Sequence, residues 1–292
     1  MPLERLHTSV GVWNRASIEE KSSWCEQIAA NLPAGFEFAR RFNAVGLGIF
    51  TFVPTSIDLV LVPARQVDVG MSGEQLAEVE GRLASLGVSL AQIGVLPESL
   101  PPRRTCDVAP ILVARSPLSR SQAEALEAFP DDWERPVPMD EDDPRGIAFL
   151  TAGEVGRILA DQKCLDLPNE VEVESFGGAN PRRLFWWGND LPLSRQTLAS
   201  YMSMVVRAGS PSSQLGFQNL SAATHCWEAD MSSASRDTPK PRLVTRGGTA
   251  LSWPWQHPAE WVAELLSFRP PSDRFLEYAS VRFVYRPQVV SG

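Results

Sequence analysis

The side chains best suited to chemistry in this sequence are few. It has three histidines, His7, His225 and His257, and four cysteines, Cys25, Cys106, Cys164 and Cys226. Imidazole is the commonest neutral metal ligand and thiolate a soft one. His225, its neighbour Cys226 and His257 are therefore the candidate metal set, although their spacing follows no standard ligand motif. No two cysteines form a CxxC pair, which argues against a zinc knuckle. The four read as buried free thiols, because Cys in a reducing compartment is usually a small core residue. A disulfide between two distant cysteines stays open at this stage. Ser252 and His257 offer a hydroxyl and a base, but nucleophilic catalysis also needs contact between them and a third, orienting group. The run Asp140-Glu141-Asp142-Asp143 reads as a solvated acidic loop rather than a cation site. The most unusual local feature is Trp253-Pro254-Trp255-Gln256-His257-Pro258. Aromatic side chains at a rim give large contact area for little lost entropy, which suits ligand binding. The same residues can equally fill the core of a loop-rich domain.

Composition bounds what these residues serve. The chain has 292 residues, and 27 Lys+Arg against 35 Asp+Glu give a net charge of −8. Phosphate recognition needs concentrated basic charge. The isolated pairs Arg40-Arg41, Arg103-Arg104 and Arg182-Arg183 do not supply it, so nucleic acid is not the expected partner. No stretch reaches the roughly 18 apolar residues of a membrane span, and the first twelve residues lack a signal-peptide apolar core. The expectation is a cytoplasmic protein without membrane contact.

The elements that must position the candidate residues can be read from periodicity. Residues 17–31 have an amphipathic pattern, with Ile18, Trp24, Cys25, Ile28 and Ala29 on one broad face. Ser17 and Glu20 form a capping box at its start. Residues 47–53 and 59–62 are apolar and β-branched around Pro54-Thr55-Ser56, which predicts a strand pair. Helices are expected over 75–85 through Leu76, Val79 and Leu83, and over 119–129 with Ala123, Leu126 and Phe129 inward. Another is expected over 151–161, where Thr151 and Glu154 form a capping box over Val155, Ile158 and Leu159. Residues 130–144, acidic and Pro-rich, read as a surface loop. Beyond Gly177 regular periodicity fades, yet six of the nine Trp lie there, which implies a loop-rich fold pinned by aromatic anchors. Residues 1–55 are read as an N-terminal extension, helix plus strand, packed on a main domain over 56–292.

The order of short motifs along that main domain resembles the formylglycine-generating-enzyme-like family, also called the sulfatase-modifying-factor family. Ile57-Asp58-Leu59-Val60-Leu61-Val62-Pro63-Ala64 and Val69-Gly70-Met71 resemble its opening "L-V-x-I-P-x-G-x-F-x-M-G" strands. Pro101-Pro102-Arg103-Arg104 before Ile111-Leu112-Val113 resembles the next strand, and Pro117-Leu118-Ser119-Arg120-Ser121-Gln122 stands where the family has "E-V-T-N-x-Q". Leu167-Pro168-Asn169-Glu170-Val171-Glu172-Val173-Glu174 is similar to "L-P-T-E-A-E-W-E". Phe185-Trp186-Trp187-Gly188-Asn189 is similar to "Y-P-W-G-N", Arg246-Gly247-Gly248-Thr249 to "R-G-G-S", and Val281-Arg282-Phe283 to the closing "G-F-R". The resemblance implies an α+β, loop-rich, C-type-lectin-like fold. It also places Glu170, Glu172 and Glu174 at a helix start, where carboxylates favour the dipole and cap free amides.

The family's chemistry does not carry over. Its copper ion is held by two thiolates on a "G-G-S-x-x-C-x-x-x-x-C" segment, since soft thiolates suit Cu(I). Here Ser252 and His257 stand at the two cysteine positions. Its calcium turn, "V-G-N-x-W-E-W", maps onto residues around Ser221 to Trp227, with Ala223 at the Asn position and Cys226 at the Glu position. A one-residue shift would restore one carboxylate through Glu228 and keeps calcium open. The residues thus imply no bound cofactor and a non-catalytic binding module for a protein, peptide or small-molecule ligand. Its candidate contacts are Trp187, His225, Ser252, Trp253, Trp255 and His257. The other expectation is a metal-dependent oxidase or oxygenase with a replaced site on His225, Cys226 and His257.

Overall fold

The computed structural model describes residues 8–69, 72–85, 89–91, 103–128, 146–177, 217, 224–227, 243–246 and 279–287. Its architecture is mixed α and β, built around an antiparallel sheet. The chain opens with α1 (Val10–Arg15) and α2 (Ile18–Ala29), then β1 (Phe36–Phe42), β2 (Gly48–Phe52), β3 (Ile57–Val62), β4 (Arg65–Val69) and α3 (Gly73–Ser85). After these come β5 (Arg104–Val108), β6 (Ile111–Ala114), α4 (Arg120–Ala125), β7 (Phe149–Leu150), α5 (Ala152–Asp161) and α6 (Glu170–Gly177). Short strands close the described chain: β8 (Thr224–Trp227), β9 (Leu243–Arg246), β10 (Ala279–Ser280) and β11 (Val284–Tyr285).

Five strands form the large sheet in the order β1-β2-β3-β6-β11, every neighbouring pair antiparallel. Its central strand β3 carries Leu59, Val60, Leu61 and Val62, all buried. A strand apolar on both faces must be covered on both, and one contiguous core runs from Trp13 to Val284. The sheet curls. Its edge strands β1 and β11 would lie about 19 Å apart if flat, yet the rings of Phe36 and Tyr285 have centroids 5.0 Å apart. The expected strand pair around Pro54 is β2 and β3. Both strands of the first 55 residues lie in the same sheet as β3, and that region holds two helices and two strands rather than one of each.

Helix α2 packs on β1 and β2 through a close approach. A Cβ at Gly48 would sit far inside contact with the Cys25 sulfur, so only glycine lets the helix come down onto the sheet. Burial there pushes the Cys25 thiol up to about 12, with Glu26 adding to the shift, so it stays protonated and unreactive at neutral pH. All four cysteines are free thiols, Cys25 and Cys226 buried, Cys106 and Cys164 partly so. The capping boxes of Ser17–Glu20, Ser119–Gln122 and Thr151–Glu154 are all formed. One inward residue fails: Ile18 is 62% exposed. It is the first residue of α2. Leu76 and Leu159 are only half-buried. Phe129 and the acidic stretch 130–144 lie outside the described residues.

A second sheet has the order β7-β10-β8-β9, and β4 pairs with β5 as a separate ribbon. Residues 279–287 serve both sheets. They give β10 to the small one and β11 to the large one, with Val281, Arg282 and Phe283 buried between. Arg282 is 1% exposed, its Nη1 donates to the Ala114 carbonyl at 2.6 Å, and its guanidinium lies 5.8 Å from the ring centroids of both Phe176 and Phe217. Burial pushes its pKa down to about 9, still well above neutral, so the residue remains a cation among aromatic faces. Among the described residues no helix is long and apolar enough to cross a membrane.

Candidate functional site

Strand β8 carries the one candidate region that the described residues reach. It runs between β10 and β9, pairing Thr224 with Ser280 on one side and His225 with Thr245 on the other. Thr224 and Cys226 are buried, and the Thr224 and Ser280 hydroxyls lie 2.9 Å apart. Successive strand positions face opposite sides of a sheet. Thr224 and Cys226 therefore share a face, and Cys226 belongs to the apolar core. Arg246, which opens the Arg-Gly-Gly-Thr segment, ends β9 directly across from Thr224.

The position of β8 is fixed by a polar node at the start of α6. The Trp227 backbone N–H donates to the Pro168 carbonyl at 2.9 Å. Its indole N–H donates to Asp166 Oδ1 at 2.7 Å, an oxygen that also accepts the Leu167 N–H at 2.8 Å. The other Asp166 oxygen pairs with Arg286. That guanidinium is bidentate to Glu172, Nε to Oε1 at 2.7 Å and Nη2 to Oε2 at 2.6 Å, and Nη2 also donates to the Leu167 carbonyl at 2.7 Å. Forked arginine–carboxylate pairing of this kind gives direction as well as attraction. Burial alone would lower the Arg286 pKa, but the Glu172 hydrogen bonds and the charges of Glu172 and Asp166 outweigh it and the net shift is upward.

Asn169 and Glu172 cap α6 reciprocally. The Asn169 side chain accepts the Glu172 N–H and Glu172 Oε2 accepts the Asn169 N–H, both at 2.8 Å. The carboxylate of Glu172 is thus spent on an amide and a guanidinium, which is helix-start work and not proton transfer. Asp166 and Arg286 were not singled out by sequence reasoning. The signal for Arg286 was present, because Tyr285-Arg286 has the aromatic-then-arginine order of the closing "G-F-R" pattern, three residues after the tripeptide first matched to it.

Of the remaining candidates, Trp187, Ser252, Trp253, Trp255 and His257 lie outside the described residues. Among the described residues no group of three or more His, Cys, Asp or Glu side chains is arranged to hold a metal ion. No family model matches the chain, and no curated protein matches it in sequence.

Proposed function

We propose that this chain is a divergent formylglycine-generating-enzyme-like protein, with a C-type-lectin-like fold, that acts in the cytoplasm as a binding module for a protein, peptide or small-molecule ligand. Four of the motifs that carry the resemblance lie in or at the ends of described elements. Ile57–Val62 is the central strand, Ser119 and Gln122 cap α4, Asn169 and Glu172 cap α6, and Arg246 leads off β9 beside β8. The observation that carries the non-catalytic reading is the placement of Cys226. Cys226, next to His225 in β8, is 0% exposed and packed in the apolar core, so its sulfur is not offered to a ligand sphere. With Ser252 and His257 at the two copper-cysteine positions, the soft donor pair that Cu(I) chemistry requires is missing from the sequence. A replaced oxidase site built on His225, Cys226 and His257 would need the Cys226 sulfur to leave the core.

The ligand contacts of this reading are Trp187, His225, Ser252, Trp253, Trp255 and His257. Affinity capture with the whole chain as bait tests it. Trp255→Ala is expected to lose the captured ligand while keeping the wild-type circular dichroism spectrum. Undiminished capture by a folded Trp255→Ala chain removes this segment from the site.

A further inference from the structure

The large sheet ends at β1, and no strand among the described residues pairs with its outer edge. Such an edge is a template for another chain. The sequence of β1, Phe36-Glu37-Phe38-Ala39-Arg40-Arg41-Phe42, is complementary to itself when two copies run antiparallel about Ala39. Phe36 would then face Phe42, and Glu37 would face Arg41, of a second copy. Aromatic pairs and opposite charges directly across a ladder are the pairs that stabilise antiparallel strands.

The strand is interrupted at that centre. Phe38 pairs with Phe50, but the next residue of β2, Ile49, pairs with Arg41, leaving Ala39 and Arg40 without partners in the β2 ladder. Arg40 has φ of 52°, in the left-handed region that a residue with a Cβ adopts at a cost of about 1 kcal/mol. An insertion of two residues keeps the side-chain alternation, so Phe36, Phe38 and Phe42 share one face with or without it. The faces therefore gain nothing from the strained pair. The edge is what changes: it bends at its midpoint, with Arg40 exposed there and Arg41 exposed and tied to Asp58 of β3. Bulges and cations on an outer strand are how soluble sheets avoid pairing with one another.

We propose that the Ala39-Arg40 bulge is an edge guard that keeps the chain from pairing β1 to β1 with a second copy of itself. The test is deletion of Ala39 and Arg40. The deletion joins Phe38 to Arg41, preserves the register with β2, and leaves the strand self-complementary. Sedimentation equilibrium of the full-length variant at micromolar concentration is expected to show twice the wild-type mass, reversible on dilution. A deletion variant with the wild-type circular dichroism spectrum and the wild-type mass overturns the proposal. If the deletion prevents folding, Arg40→Val carries the test, because a β-branched residue disfavours the left-handed backbone and removes the central charge. Doubled mass supports the guard, and unchanged mass overturns it. Arg40→Gly, which fits the same φ without a Cβ, is expected to keep the wild-type mass; doubling there overturns the role of the bulge.

Discussion

The two larger sheets of this molecule share one apolar core, which Leu150 and Cys226 reach from the smaller, but their strands are specified in different ways. The five-stranded sheet is specified by apolar pattern. Its central strand is buried along most of its length, its neighbours contribute Ile49, Phe50, Phe52, Ile111, Leu112 and Val113 to the same core, and one ring from each edge strand, Phe36 and Tyr285, meets in that core. The four-stranded sheet is made of strands two to four residues long, far apart in the chain. What places it is polar and specific: the Thr224–Ser280 hydroxyl contact, the Trp227–Asp166 hydrogen bond, and the forked Arg286 at the start of α6. Hydrophobic burial fixes which face a strand shows but is tolerant of its partner. Directed hydrogen bonds, weak in net energy, choose between partners. Strand β8, which bears the candidate His225, belongs to the second kind of structure.

Substitutions that separate the two mechanisms sharpen this contrast. The largest effect is expected at Arg282, which lies where the sheets join. Arg282→Ala leaves a cavity between Phe176 and Phe217 and frees the Ala114 carbonyl, and should cost about 3–5 kcal/mol in urea unfolding. It should weaken both sheets together; a loss confined to one would show that Arg282 does not couple them. Next is Gly48→Ala, which drives a methyl into the Cys25 sulfur and touches only the large sheet. Overpacking of this kind costs about 2 kcal/mol. Cys25→Ala in the same chain should recover most of that cost, and simple additivity of the two changes would contradict the packing described. The smallest is Trp227→Phe, which keeps a ring but removes the donor to Asp166. A loss of about 1 kcal/mol in thermal unfolding is expected. Faster hydrogen exchange at β8 should accompany it, with β3 unchanged.

The same contrast explains what could be read from the sequence. Capping boxes at Ser17 and Thr151 and the apolar runs of β2 and β3 are local signals, and the structure forms them where they were expected. Ile18 misled because periodicity ranks a residue by its angle on the helix and takes no account of its place at the helix end, where this one is exposed. The small sheet was illegible for a different reason. Its β10 and β7 ladders are two residues long, too short for alternation to register, and Asp166 meets Arg286 and Trp227 across more than fifty residues. Motif order placed Glu170 and Glu172 at a helix start, where α6 begins, but it gave no strand over Thr224–Trp227 and could not reveal that Cys226 is buried in the core.

We propose that this chain binds rather than oxidises, because Ser252 and His257 stand at the two copper-cysteine positions and Cys226 is buried. Metal content measures this most directly. Full-length protein, produced with copper and iron supplied and then freed of loosely held ions, is expected to contain neither metal in stoichiometric amount and to unfold at the same temperature with and without chelator. One equivalent of copper or iron per chain, lost on substitution of His225 or His257, would contradict the account.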